Sequence, residues 1–333
     1  MTTTIDAPTP VRDLRSPAAF WLVAVSTVGV AGVAAATSPP GWVSVVIVVA
    51  VIAALGIPHG AVDHLVVEAI DGRRRGSRRR FVIRYLLAMA GVGLVWSVVP
   101  AFALAAFLVM SVHHFGQSDL AYLHLPGRRQ VIVQLSRGLL LVALPIVAHI
   151  DTVAPVIERL GAGDPANWPW LAERWSVWLW CAFLVGQHVV IGAAIAHRSS
   201  DRSVVAREAV TVAALALVFL VADPLIGFAV YFGLWHSFGH LLVLADLLGT
   251  EPSPARSVAR LAAPLSAVSL LALGVVASGA AIVGRIDLLL PLVVVFVAML
   301  TAPHMVVVER LWRRRTVCVE IPVGRPTGIR TQS

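Results

Sequence analysis

Residues 231–240 read Tyr-Phe-Gly-Leu-Trp-His-Ser-Phe-Gly-His, which sets His236 and His240 four residues apart. On a helix that spacing stacks the two imidazoles on one face, one turn apart. Two rings so placed can grip one metal ion, and neutral imidazole suits iron, zinc, copper and nickel alike. The same spacing also serves purely structural pairs, so the company these residues keep decides the reading. His59 stands in Gly-Ile-Pro-His-Gly-Ala-Val-Asp-His, His114 opens His-Phe-Gly-Gln-Ser-Asp, His188 ends Gly-Gln-His, and His304 follows Pro303.

The elements that carry them are apolar. Of 333 residues, 58% are hydrophobic and 13% charged, with a mean hydropathy of +0.85. Soluble domains carry about 25% charged residues, which excludes an ordinary water-soluble enzyme. A helical crossing needs about 20 apolar residues. Runs of that length, broken by Pro, Gly and Arg, predict ten spans near 18–38, 42–69, 81–99, 101–124, 131–150, 170–196, 204–222, 224–248, 258–283 and 287–309. The expected fold is an all-α polytopic membrane bundle, one catalytic domain over 18–315, with a polar segment at 1–17 and a polar tail at 316–333.

The basic residues test that topology. The chain carries a net charge of +8. All 26 basic residues are Arg, and 23 fall on one side of the ten-span arrangement, leaving Arg159, Arg174 and Arg285 on the other. Arg137 is counted with the inner connection between spans 4 and 5. The bias predicts both termini in the cytoplasm and a multi-pass protein of the cell membrane. Arg blocks beside apolar spans read as topology signals, so no nucleic-acid partner is expected. The long outer connection near 151–169 reads as an acidic, Pro- and Gly-rich loop. The tryptophans after it, from Trp168 to Trp180, read as an interfacial belt.

Ionisable groups inside a bilayer are costly and point to function. In this topology His59, His113, His114, His188, His236, His240 and His304 all sit on even-numbered spans. Each lies about 18–27 Å below the outer end at 1.5 Å per residue. A shared depth and a shared parity predict one buried imidazole centre. His113 points about 100° away from His114 on a helix and is not expected to join it. His124 and His197 are expected at wet inner ends, and His149 at an interface.

Neighbouring residues suggest how such a centre is built. Pro58 and Pro303 each lack the N–H that a helix needs one turn back, so both spans should kink beside their histidines. Gly60 permits close approach. Asp63, four residues after His59, is a candidate orienter of that ring. His64 is either a further polar member of the site or a solvated residue facing Arg73–Arg75. Asp119 is a weaker orienter of His114. His188 and His304 can each complete the site or simply fill a polar interior. Phe115, Tyr122, Tyr231, Phe232, Trp235 and Phe238 flank the histidines, either as a tunnel wall or as ordinary helix packing.

No phosphate-binding or dinucleotide glycine loop and no HExxH appears, so neither a nucleotide partner nor zinc-protease chemistry is expected. Three rivals stay open. A transporter or channel passing protons or metal would stagger its polar groups from face to face. A haem protein would need only two axial histidines. A di-iron lipid desaturase or hydroxylase would want HxxHH-type clusters, which are missing.

The set Gly-Ile-Pro-His59-Gly-Ala-Val-Asp, His114-Phe-Gly-Gln-Ser-Asp, Trp-His236-Ser-Phe-Gly-His240 and Pro-His304 resembles the Brp/Blh family of membrane β-carotene 15,15′-dioxygenases. The likeness runs in order from about residue 42 to 309. Residues 1–41 supply a leading span that shorter members need not have. The resemblance implies a non-haem Fe(II) enzyme that splits the central double bond of β-carotene with O₂ into two all-trans-retinal molecules. It implies that His59, His114, His236 and His240 hold the iron, and that a polyene substrate slides in sideways from the lipid bilayer. A retinal-binding protein is the expected downstream partner.

Overall fold

The computed structural model describes residues 16–37, 39–72, 77–123, 125–163, 174–196, 202–248 and 254–319. The polar end segments expected at 1–17 and 316–333 lie largely outside these residues, as do His124, His197, Trp168 and Trp170.

Among the described residues there is no strand, and ten helices are long and apolar enough to cross a membrane. The protein is an all-α, multi-pass membrane bundle. The first span is α1 (Pro17–Thr37). The second is segmented into α2 (Gly41–Val51), a π-helical turn (Ile52–Gly56), α3 (Ile57–Ala61) and α4 (Asp63–Asp71). Helices α5 (Ser77–Val98), α6 (Pro100–Asp119) and α7 (Arg128–Ala148) follow. After α8 (Ile150–Arg159) come α9 (Arg174–Ala196) and α10 (Arg202–Val221). The eighth span joins α11 (Pro224–Val230), a second π-helical turn (Tyr231–Ser237) and α12 (Phe238–Leu248). The last two spans are α13 (Pro254–Ile282) and α14 (Leu289–Val319).

Local chemistry explains the interruptions. Pro58 cannot donate to the carbonyl one turn back, and the expected kink takes the form of the wide turn Ile52–Gly56 just ahead of it. Single π turns inside α-helices are frequent at functional sites. Helix α11 starts where Asp223 accepts a hydrogen bond from the Leu225 N–H at 2.9 Å, with Pro224 at the first helical position.

Helices α6 and α7 meet unusually closely at two points. A Cβ placed on Gly116 of α6 would stand 1.8 Å from the Gln134 carbonyl oxygen of α7. One placed on Gly138 of α7 would stand 1.7 Å from the Val112 carbonyl oxygen of α6. These two glycines let the backbones touch, the small-residue packing that replaces hydrophobic drive within a bilayer. The contact fixes the helix that carries His114.

Two sequence expectations are corrected. The outer connection is not all loop. Over Ile150–Arg159 it forms α8, whose Ile150 and Ile157 are buried in the bundle, with Leu160 just beyond. Arg137 is not a topology signal: it lies within α7, only 1% exposed, and pairs with Glu208 of α10. The Tyr122 hydroxyl donates to the same carboxylate. Burial and that carboxylate push the Tyr122 phenol up, so it remains a donor. Helix α1, as expected of the first span, is built into the bundle. Its Thr27 hydroxyl accepts the Trp235 indole N–H at 2.9 Å in the core.

Candidate metal centre

The segmented spans bring five imidazoles together. His59 follows the first π turn, His114 sits near the end of α6, His236 lies in the second π turn, His240 on α12 and His304 on α14. All five are buried, at 3–7% exposure. His59 stands 5.4 Å from His236, 5.6 Å from His240 and 4.8 Å from His304 between ring centres. His114 stands 4.9 Å from His236 and 5.4 Å from His304, and His240 stands 5.7 Å from His304. All six pairs meet edge to face.

Two of these separations, 4.8 and 4.9 Å, are those of rings sharing an ion, and the other four, 5.4–5.7 Å, are slightly longer. A nitrogen about 2.1 Å from a metal puts its ring centre about 3.2 Å away, so ligand rings at tetrahedral or octahedral angles stand about 4.5–5.3 Å apart. As the side chains stand, no three His, Cys, Asp or Glu groups among the described residues already form a ligand set. The rings converge, and a shared ion would require their nitrogens to turn toward one point. Two nitrogens call for such a partner: His236 Nδ1 and His304 Nε2 are buried with no hydrogen-bond partner. A buried polar atom left unmatched is costly, and a cation accepting their lone pairs would satisfy both. The donor set, all imidazole, fits a first-row transition metal.

The tautomers follow from the partners. His59 Nδ1–H donates to the Leu55 carbonyl oxygen at 3.3 Å, which leaves Nε2 as its lone-pair nitrogen. His304 Nδ1–H donates to the Asp63 carboxylate, at 2.9 and 3.0 Å to its two oxygens. Asp63 therefore orients His304 across the bundle, not His59 on its own segment as the spacing suggested. Gly60 lies against this ring, where a Cβ would make ordinary contact 3.6 Å from His304 Nδ1, so the expected close approach does not itself require glycine.

The imidazoles border an apolar cavity of about 600 Å³, within the usual range of about 300–1,000 Å³ for small-molecule sites. His59, His64, His114, His236 and His304 line it, and His240 stands outside its wall. Phe115 and Phe232 also line it. Phe232 lies nearly parallel to the His236 ring at 5.7 Å, and Phe115 edge-on to it at 4.9 Å. Gly56 makes room for Phe232: a Cβ there would stand 2.5 Å from the Phe232 ring. Leu86 of α5 and Val268 of α13 line the cavity and are also 56% and 62% exposed, so it opens on the flank of the bundle between those helices.

Several candidates fall elsewhere. His188 lies 2.8 Å from the Ser136 hydroxyl of α7 and does not line the cavity. Burial at the right depth does not choose a helix face. His113 is half-exposed and faces Glu309 at 3.7 Å. His149 Nε2–H donates to the Phe219 carbonyl oxygen. His64 is buried on the cavity wall rather than solvated. Of the tunnel candidates, Tyr122, Tyr231, Trp235 and Phe238 do not line the cavity. Tyr122 turns to Glu208, Tyr231 donates to Asp119 at 3.0 Å, and Trp235 turns to Thr27, each drawn away by a polar partner. Phe238 packs in the apolar core around α7, α10 and α11. Asp119 thus serves Tyr231 and not His114. Sequence reasoning passed over Tyr85. Its hydroxyl lies 3.3 Å from Asp63 and 3.2 Å from the Leu300 carbonyl oxygen, and no local spacing could have signalled it.

The fold and site define a multi-pass membrane protein with a buried histidine centre on an apolar cavity. The chain belongs to the family described as β-carotene 15,15′-dioxygenase, which matches residues 49–312, so it is an enzyme of that class. It is 26% identical over 324 residues to a protein of Halobacterium salinarum named probable β-carotene 15,15′-dioxygenase Blh, covering 89% of this chain and 92% of that one. It is also 26% identical over 283 residues to a β-carotene 15,15′-dioxygenase of an uncultured marine bacterium, 66A03, covering 82% and 95%. No solved structure matches.

Proposed function

We propose that the chain is a non-haem Fe(II) dioxygenase that cleaves the 15,15′ double bond of β-carotene with O₂ into two all-trans-retinal molecules. In this reading His59, His114, His236 and His240 hold the iron. The observation that carries it is the convergence of those rings, from three separate spans, beside a cavity whose wall is otherwise mostly apolar. The names of the relatives support the substrate.

Bound iron would supply an open position at which O₂ is activated next to the double bond. The protein's own work is positional. The Leu55 carbonyl fixes the His59 tautomer, the Phe115 and Phe232 rings give the polyene apolar faces beside the centre, and the wall keeps water out. One O₂ adds across one C=C bond to give two C=O bonds, with no proton or electron left over, so the wall needs no general acid or base. The opening between α5 and α13 would admit a lipid-dissolved polyene without a passage through water. The Arg bias supports a cell-membrane protein with cytoplasmic termini, and a retinal-binding protein would take up the product. The polar groups gather at the imidazoles rather than running from face to face, which disfavours a transport pathway.

Expression in β-carotene-producing cells tests the reading. Loss of colour with equimolar gain of retinal is expected. Shorter apocarotenals would move the cut, and unchanged pigment beside abundant, iron-loaded protein would contradict it.

A further inference from the structure

We propose that His304 is a fifth imidazole of the metal centre and that an Asp63–Tyr85 clamp positions it. The inference rests on the metal-centre reading above and adds a ligand to the four that the resemblance supplies. His304 has edge-to-face contacts with three of those four, His59, His114 and His240. Its two nitrogens are differently placed. Nδ1–H is committed to both oxygens of the Asp63 carboxylate, which fixes the tautomer and puts the lone pair on Nε2. Nε2 is buried and has no hydrogen-bond partner. A carboxylate on one nitrogen and a vacant lone pair on the other is the arrangement that metal-bound histidines share. The carboxylate fixes the ring and raises its basicity.

The carboxylate is itself held. The Tyr85 hydroxyl of α5 reaches Asp63 Oδ2 at 3.3 Å, so the clamp joins α4, α5 and α14. A ring that merely filled polar space would not need a carboxylate fixed by a third helix. His188 shows the alternative: it is as buried as the cluster but spends its polar contact on Ser136 and stays apart from the other rings.

The test uses the full-length apoprotein in detergent, titrated with Co(II), whose visible ligand-field band reports the number and kind of ligands. Asp63→Asn keeps the side-chain volume and should weaken Co(II) affinity about 10–100-fold. His304→Ala should weaken it at least as much and alter the band. Tyr85→Phe should move both in the same direction by less, and His113→Ala should leave them unchanged. If His304→Ala does not fold, the near-isosteric Asp63→Asn and Tyr85→Phe carry the test. The proposal is overturned if Asp63→Asn and the folded His304 variant bind Co(II) with unchanged affinity and band while His236→Ala abolishes binding. If His236→Ala also binds normally, the metal-centre reading itself falls, and this inference with it.

Discussion

The rings of His59 and His304 meet edge to face, 4.8 Å between centres at 87°, although they belong to the second and tenth spans. Each follows a proline, which removes a helical N–H; this loosens the turn before Pro58, whereas α14 runs on unbroken through Pro303, without the interruption expected there. In the second span that loosening takes the form of a π-helical turn. The repeated Pro-His pair thus joins two distant parts of the chain at the wall of one cavity.

Truncating the imidazoles tests the centre first. His236→Ala or His240→Ala should reduce retinal formation to background in β-carotene-producing cells, while immunoblots show the protein still accumulating in the membrane. Retinal at the unsubstituted level from either variant would remove the four-histidine reading.

Gly116→Ala should be damaging far beyond the size of a methyl group. Its Cβ would meet the Gln134 carbonyl oxygen at 1.8 Å, and a backbone atom cannot swing aside. Overpacking of this kind costs about 1–3 kcal/mol or more, and forcing α6 off α7 would also shift His114. Gly91→Ala is the control, since nothing lies within 4 Å of a Cβ there. Thermal unfolding in detergent should separate the two by several degrees.

Much of this was legible in the sequence because the signals were local. Runs of apolar residues and blocks of Arg marked the spans. Shared depth and parity picked out His59, His114, His236, His240 and His304, together with His113 and His188, which lie apart. What was not legible depends on pairings between distant segments. Asp63 sits one turn from His59, so spacing assigned it there, whereas folding brings it to His304. His188 shares the depth of the cluster but is drawn to Ser136. Arg137 looked like a loop charge because its partner, Glu208, lies on another span. Pro155 and the glycines after it disguised the amphipathic face of α8.

Gly56→Ala probes the Phe232 wall without touching a histidine. The new Cβ would press on the Phe232 ring, which stacks on His236, and push it toward the cavity. Misplacement by about 1 Å near reacting atoms can cost on the order of 10²-fold in rate. The turnover of β-carotene should fall on that scale while iron content, measured by elemental analysis, stays near that of the unsubstituted protein. A normal rate would show that Phe232 does not bound the substrate.

Arg137→Met should destabilise the bundle by about 1–3 kcal/mol, because it leaves the partly exposed Glu208 carboxylate with only the Tyr122 hydroxyl. Arg137→Met combined with Glu208→Gln should recover part of that loss. Unfolding midpoints of the single and double variants measure the coupling, and strictly additive losses would mean that the pair is not a unit.

Thr27→Val tests whether the first span supports the site. It deprives the buried Trp235 N–H of its acceptor, a loss of about 1–3 kcal/mol. The expected outcome is a lower unfolding midpoint with retinal formation largely kept at low temperature.

X-ray absorption at the iron edge of the purified protein examines the buried imidazole centre most directly. The account predicts about one iron per chain, a nitrogen-dominated first shell, and the outer-shell scattering of several imidazole rings, all lost in His236→Ala. Protein that turns over β-carotene yet carries no iron, or carries it in a shell without imidazole, would contradict the account.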